Sequence, residues 1–140
     1  MVPEDLELTA RDCRYLRLLR DSEGRLSPTE IAREFKVRLP TAIAALKRLE
    51  GMGLVEYRRG EGVTLTPEGL SVSEELLWRH RVIESFLYEE LGIDSETACE
   101  AATRLEMLLP RESLVRLCER MGHPRVCPHG RPIPHPEVVT

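Results

Sequence analysis

The chain has 140 residues, of which 41% are hydrophobic, 4% aromatic and 31% charged, with 20 Lys/Arg against 24 Asp/Glu for a formal net charge of −4. This composition fits one globular domain or two very small ones and excludes a disordered chain. No run approaches the roughly 20 apolar residues of a bilayer span, and the opening MVPEDLEL lacks a basic, apolar leader pattern, so a cytoplasmic location with no membrane partner is expected.

The four cysteines, Cys13, Cys99, Cys118 and Cys127, share no repeated pair spacing and predict reduced thiols rather than a disulfide scaffold. An acidic chain is a poor candidate for nucleic acid as a whole, but the charge is uneven. Residues 1–66 carry 12 Lys/Arg and 11 Asp/Glu, and residues 67–140 carry 8 and 13. The first half is therefore compatible with touching phosphates, and the acid belongs to the second.

The first half reads as three short helices and a hairpin. Thr9 caps a helix to about Arg20, with Asp12 in the first turn, where a carboxylate meets the positive helix end. The segment 21–24 breaks it. Ser27, Pro28 and Glu30 form a capping box with Pro at the first helical position, opening a helix that turns Ile31, Ala32 and Phe35 inward. A turn over 36–39 leads to Pro40 as a first helical residue. Ile43, Leu46 and Leu49 then share one face, and Gly51 and Gly53 end the helix. Leu54–Arg58 and Val63–Leu65 flank the loop 59–62 as a β-hairpin.

Two helices separated by a tight turn and followed by a basic-tipped hairpin make a winged helix-turn-helix pattern. In that motif the second helix enters the major groove of double-stranded DNA. Its base-reading candidates are Arg38, Pro40, Thr41 and Ala44; Lys47 and Arg48 are the phosphate candidates, and Arg58 and Arg59 the wing contacts.

The second half reads as longer helices. Thr66-Pro67-Glu68 opens one to Leu91, with Leu76, Ile83, Leu87 and Leu91 as its apolar stripe and Gly92 as its stop. That length suits a connector or dimer-forming element. Asp94 or Ser95 caps a helix over 95–109, and Pro110 ends it. A last helix over 111–121 buries Leu114, Leu117, Cys118 and Met121. Five of the ten prolines fall in the final 18 residues, predicting an extended segment laid on the surface or left mobile. The expected fold is mainly α: a winged helix over 1–66, a helical metal-binding and dimerisation domain over 67–122, and a proline-rich segment over 123–140.

The ordered set Ile31-Ala-Arg-Glu-Phe35 with Pro40-Thr41, Gly53-Leu-Val55, Leu65-Thr-Pro-Glu-Gly69, Arg79-His-Arg81 with Glu84, and Cys127-Pro-His-Gly-Arg-Pro-Ile-Pro134 resembles the diphtheria-toxin-repressor and manganese-transport-regulator family of metal-dependent repressors. Leu-Thr-Pro-x-Gly alone is common among winged helices. The full order, over nearly the whole chain, is specific. The resemblance implies a homodimer on a palindromic DNA operator, activated by divalent iron or manganese. It also implies no SH3-like domain of the longer members, for which 140 residues leave no room.

His80 and Glu84 are four residues apart and project from one helix face, where two side chains can share an ion. By resemblance, His80 matches the family's histidine ligand, Glu84 its ancillary carboxylate and Asp12 its N-terminal ligand. Cys99 stands where the ancillary site has a histidine. The family's Cys or Glu, then Glu, then His fall here on Thr103, Glu106 and Met107, of which only Glu106 is a conventional ligand. The implied set is Asp12, His80, Glu84, Cys99 and Glu106, whose mixed N, O and S donors suit Zn2+ or Fe2+ better than Mn2+.

Cys99 and Cys118 on apolar faces also suit simple packing. Cys118, His123, Cys127 and His129 match no standard zinc knuckle, and His135 is expected at the surface. The leading expectation is a metal-responsive repressor controlling metal-ion homeostasis. A second keeps the fold without metal activation, constitutive or responding to oxidation of Cys13 or Cys99. A third is a metal-buffering or protein-interaction module. No nucleophile and base pair, phosphate loop or cofactor fingerprint suggests an enzyme.

Overall fold

The computed structural model describes Val2, residues 6–22 and residues 25–136. Glu23 and Gly24 of the expected breaker, the rest of the opening segment and residues 137–140 of the proline-rich segment lie outside the described residues. The chain divides into two compact units, residues 1–73 and 74–140. Their order is α1 (Ala10–Asp21), α2 (Pro28–Phe35), α3 (Leu39–Gly51), β1 (Val55–Arg58), β2 (Gly62–Leu65), α4 (Pro67–Glu89), α5 (Ser95–Leu105) and α6 (Arg111–Arg120). Helix α4 begins in the first unit and continues in the second.

Local signals account for most of the first unit. Thr9 caps α1 and Ser27 caps α2, each in a reciprocal capping box, with Asp12 and Glu30 answering the cap backbone. Helix α2 ends on Lys36 at φ 54°, and α3 opens at Leu39, one residue before the expected Pro40. Strand β1 pairs antiparallel with β2, Val55 opposite Leu65 and Arg58 opposite Gly62. Leu26 exchanges both backbone hydrogen bonds with Val63, adding a single antiparallel bridge to the other edge of β2. Cys13, Leu16, Ile31, Ala42, Leu46, Leu49, Leu54 and Val63 are fully buried. Phe35 is only half-buried and stacks tilted on Tyr15 with centroids 4.5 Å apart.

The Leu-Thr-Pro-Glu-Gly stretch has a mechanical explanation. Thr66 Oγ1 accepts from the Gly69 N–H at 3.0 Å and donates to the Gly53 carbonyl at 2.6 Å, while the Thr66 N–H bonds the Leu54 carbonyl. Gly69 passes so close to Leu54 that a Cβ there would lie 1.8 Å from the Leu54 oxygen. Only glycine allows that approach. The motif pins the end of the wing to the start of α4.

Two helix ends of the second half differ from the sequence expectation. Helix α4 stops at Glu89, and Leu91, expected on its apolar stripe, is 57% exposed. The cause is Gly92 at φ 68°, which lets the Ile93 N–H bond the Leu87 carbonyl at 3.0 Å. That bond, reaching back six residues, takes the carbonyl a continuing helix would use. Helix α5 ends at Leu105 rather than 109, because Arg79 Nη1 claims the Glu106 and Leu109 carbonyls, each at 3.0 Å, and Pro110 disfavours helix in the residue before it.

The proline-rich segment is neither wholly on the surface nor loose. It folds back on itself through the bridge Val126 to Pro132 and the bond from Ile133 N–H to the Arg125 carbonyl. This drives Cys127 and Ile133 into a core with Trp78, Val82, Ile83, Ala102, Leu114 and Cys118. Leu117 and Met121, expected inside, pack half-buried at its margin, and His135, expected exposed, is half-buried. Arg81 secures the return by donating to the Pro132 carbonyl.

Candidate metal centre and nucleic-acid interface

Helical spacing puts His80 and Glu84 on one face of α4, where they are 5% and 2% exposed. His80 Nδ1 lies 3.0 Å from Glu106 Oε2 at the C-cap of α5. A carboxylate only accepts, so Nδ1 is the donor of this bond and Nε2 faces the other side. There it meets Cys99 Sγ at 3.5 Å and Glu84 Oε2 at 4.0 Å.

Glu84 also faces a second group. His129 Nδ1 lies 3.5 Å from the same Oε2, and Cys127 joins them. In each of the sets His80, Glu84, Cys99 and Glu84, Cys127, His129, three donor atoms lie within 4.8 Å of one another. Burial pushes the Cys127 thiol up; hydrogen bonds from the Arg131 and His129 backbone lower it and the Glu84 carboxylate adds to the rise.

The donor geometry fits an ion. Glu84 Oε2 is buried with no hydrogen-bond partner, a costly state for a carboxylate oxygen unless a cation meets it. Zinc bound at about 2.0–2.3 Å to N, O and S donors holds those donors roughly 3.3–3.8 Å apart, close to the spacings here. Glu75, nine residues earlier on α4, shows the alternative. It is fully buried but receives Arg79 Nε at 2.9 Å and Arg111 Nη2 at 3.0 Å, so its charge is answered within the protein.

The structure thus brings together His80, Glu84, Cys99 and Glu106, with Glu106 behind the His80 ring. Thr103 turns its hydroxyl to the Cys99 carbonyl at 3.0 Å and Met107 is half-buried. Asp12 belongs to the first unit, where it accepts from the Thr9 N–H at 2.9 Å and pairs with Arg48. The sequence reading missed the junction of Cys127 and His129 with Glu84. The signal was the i, i+2 pair across the tight Cys127–Gly130 turn, closed by the Gly130 N–H on the Cys127 carbonyl.

On α3, Arg38, Pro40, Thr41, Ala44 and Lys47 are all exposed, and Arg38 caps the helix without spending its side chain. Arg48 is engaged with Asp12 and with the Glu7 carbonyl at 2.9 Å, while keeping 43% of its side chain exposed. On the wing, Arg58 is tied to Glu56 at 2.8 Å and lies 3.9 Å from Glu61, and Arg59 is exposed.

Residues 66–135 match the family described as iron dependent repressor, metal binding and dimerisation domain, and residues 6–63 match the MarR family. The chain belongs to the iron-dependent repressor family. An HTH-type transcriptional regulator of Methanocaldococcus jannaschii is 34% identical over 105 residues, covering 74% of this chain and 83% of that protein. Transcriptional regulator MntR of Salmonella typhimurium is 33% identical over 103 residues, covering 71% of this chain and 65% of that protein. A solved manganese-dependent transcriptional repressor in complex with manganese has a TM-score of 0.79 at 29% identity, covering 89% of this chain and 58% of that one. This iron-dependent repressor relative therefore spans just under two thirds of MntR and somewhat over half of the manganese-bound repressor. No helix among its described residues is long and apolar enough to cross a membrane.

Proposed function

We propose that the chain is a metal-responsive transcriptional repressor that acts as a homodimer on a palindromic operator and controls metal-ion homeostasis. The observation that carries this reading is the buried, unbonded Oε2 of Glu84, faced by the imidazoles of His80 and His129. Its burial and donors favour metal response over a constitutive or thiol-sensing regulator of the same fold. Cys13, one of the two thiols that such a sensor would use, is wholly buried.

In this reading His80, Glu84 and Cys99 hold one divalent ion, and Cys127 and His129 approach the same carboxylate. The ion supplies positive charge and a geometric tie. Glu106 fixes the tautomer and tilt of His80, the outer role that raises the basicity of a histidine ligand. Cys99 and Cys127 give up protons as they bind, so loading strengthens as pH rises. The mixed donors favour Zn2+ or Fe2+ over Mn2+. Asp12, matched to a family ligand by sequence, is a further candidate. Arg38, Pro40, Thr41 and Ala44 would read bases, and Lys47, Arg48, Arg58 and Arg59 would contact phosphates as charges on one face of a duplex.

The test uses duplexes selected by the zinc-loaded protein from a randomised pool, with binding measured at one fixed salt concentration. Chelation is expected to weaken binding, and His80→Ala with Glu84→Gln to abolish the metal effect while sedimentation still reports a dimer. Equal affinity with and without chelator would sink the metal reading.

A further inference from the structure

The sequence groups Cys118 and His123 with Cys127 and His129, but the fold separates the two pairs. Cys127 and His129 go to Glu84, whereas Cys118 and His123 meet His135 from the returning C-terminal segment. The donor atoms of these three side chains lie within 4.8 Å of one another, and none of the three belongs to the Glu84 sets.

The end of α6 builds the first two positions. Gly122 at φ 73° and His123 at φ 54° close the helix, with the His123 N–H on the Cys118 carbonyl at 2.9 Å and the Gly122 N–H on the Glu119 carbonyl at 3.0 Å. This double bond pattern brings the residue three places inside the cap against the residue two places beyond it. That contact is ordinarily between apolar side chains. Here it is Cys118 Sγ against His123 Nδ1 at 3.4 Å, and it requires a histidine to hold the left-handed backbone that glycine prefers.

The third position comes from the tail. The bond from Ile133 N–H to the Arg125 carbonyl fixes the return, and the His123 and His135 rings stand edge to face with centroids 6.1 Å apart. His135 Nε2 is buried with no hydrogen-bond partner, and so is Nε1 of Trp78, a side chain wholly inside the same core as Cys118. An N–H donor without an acceptor is what a thiolate would satisfy.

We propose that Cys118, His123 and His135 form a binding site for a zinc-class divalent ion, held by one thiolate and two imidazoles with a fourth position left to water. The Cys118 proton leaves to solvent as the sulfur–metal bond forms. The 3.4 Å spacing of sulfur and nitrogen is that of two donors on one tetrahedral zinc, for which about 3.5 Å is expected. Burial of His135, with the nearby charges of His123 and Arg125, lowers its proton affinity. Burial raises the Cys118 thiol. The ion would tie the C-terminal segment to the end of α6.

The full chain carrying Cys99→Ala and Cys127→Ala keeps Cys118 as the last thiol of residues 74–140. Titrated with Co2+ alone, it is expected to develop a thiolate-to-cobalt charge-transfer band, and adding His123→Ala and His135→Ala at these half-buried positions is expected to remove it. In the otherwise unchanged chain, the same two histidine substitutions lower bound zinc by one ion per chain, read by chelator competition, and Glu84→Gln acts independently of them. A band absent from the folded first variant, a band that survives loss of both histidines, or unchanged zinc content would overturn the proposal.

Discussion

The two units bury charge in different ways. In the first, Asp12 is answered by a neighbouring backbone N–H and by Arg48, and the caps of α1 and α2 close on residues three positions away. In the second, α4 buries Glu75, Arg79, His80, Arg81 and Glu84 together, and beyond the Glu75–Arg79 pair within the helix their partners come from distant parts of the chain, up to 51 residues further along, while Glu84 Oε2 has no hydrogen-bonding group. Glu75 and Glu84 sharpen the contrast, since both are buried glutamates on one helix. One is closed by two guanidiniums, while the other keeps a buried oxygen without a hydrogen-bond partner, the group that the proposed centre gives to a cation.

The largest effect is expected where the closed system is broken. Arg79→Ala leaves Glu75 with half its partners and frees two carbonyls, and should cost about 3–5 kcal/mol in urea unfolding of the helical unit. Gly69→Ala tests the other unit, because its Cβ would overlap the Leu54 oxygen; a loss of about 3 kcal/mol is expected, read as faster hydrogen exchange in the wing.

Glu84→Gln tests the open system. In metal-free protein it should change stability by less than about 1 kcal/mol, since the buried Oε2 has no hydrogen-bond partner to lose. With His123 and His135 also replaced by Ala, it should abolish the roughly 2.7 kcal/mol that zinc at 100 times its Kd confers. In the unsubstituted centre, zinc affinity should climb with pH through neutrality, because burial keeps the Cys127 thiol protonated beyond its ordinary range and that proton must be displaced. A Glu84→Gln penalty in metal-free protein as large as that of Arg79→Ala would erase the contrast. The smallest effect belongs to local capping: Ser27→Ala should cost about 1 kcal/mol in thermal unfolding of the first unit.

Much of the first unit was legible because its signals are short-range. Ser27, Pro28 and Glu30 predict the start of α2 by a bond spanning three residues, and the exposure of Arg38, Thr41 and Lys47 follows from the helical spacing of Leu46 and Leu49. In the second unit, the i, i+4 pair His80 and Glu84 was equally visible, since helix geometry alone fixes it. The place of Glu106 behind the His80 ring, rather than beside Glu84, depended on where α5 ends, and that was set by Arg79 reaching across from another helix. Leu91 was misread for a related reason, because the end of the helix at Glu89, two residues before the expected Leu91, is a matter of one backbone bond, from the Ile93 N–H to the Leu87 carbonyl.

By itself, the sequence determined the six helices and the hairpin of the described residues, the exposed face of α3 and the pairing of His80 with Glu84, all from periodicity, caps and turns that act within a few residues. Only the tertiary structure decided how the cysteines and histidines of the last 25 residues are shared. The return of the proline-rich segment puts Cys127 and His129 at Glu84 and His135 at Cys118 and His123. No spacing along the chain encodes that division, because it follows from burying Ile133 in the helical core, which turns the residues before and after it toward different neighbours.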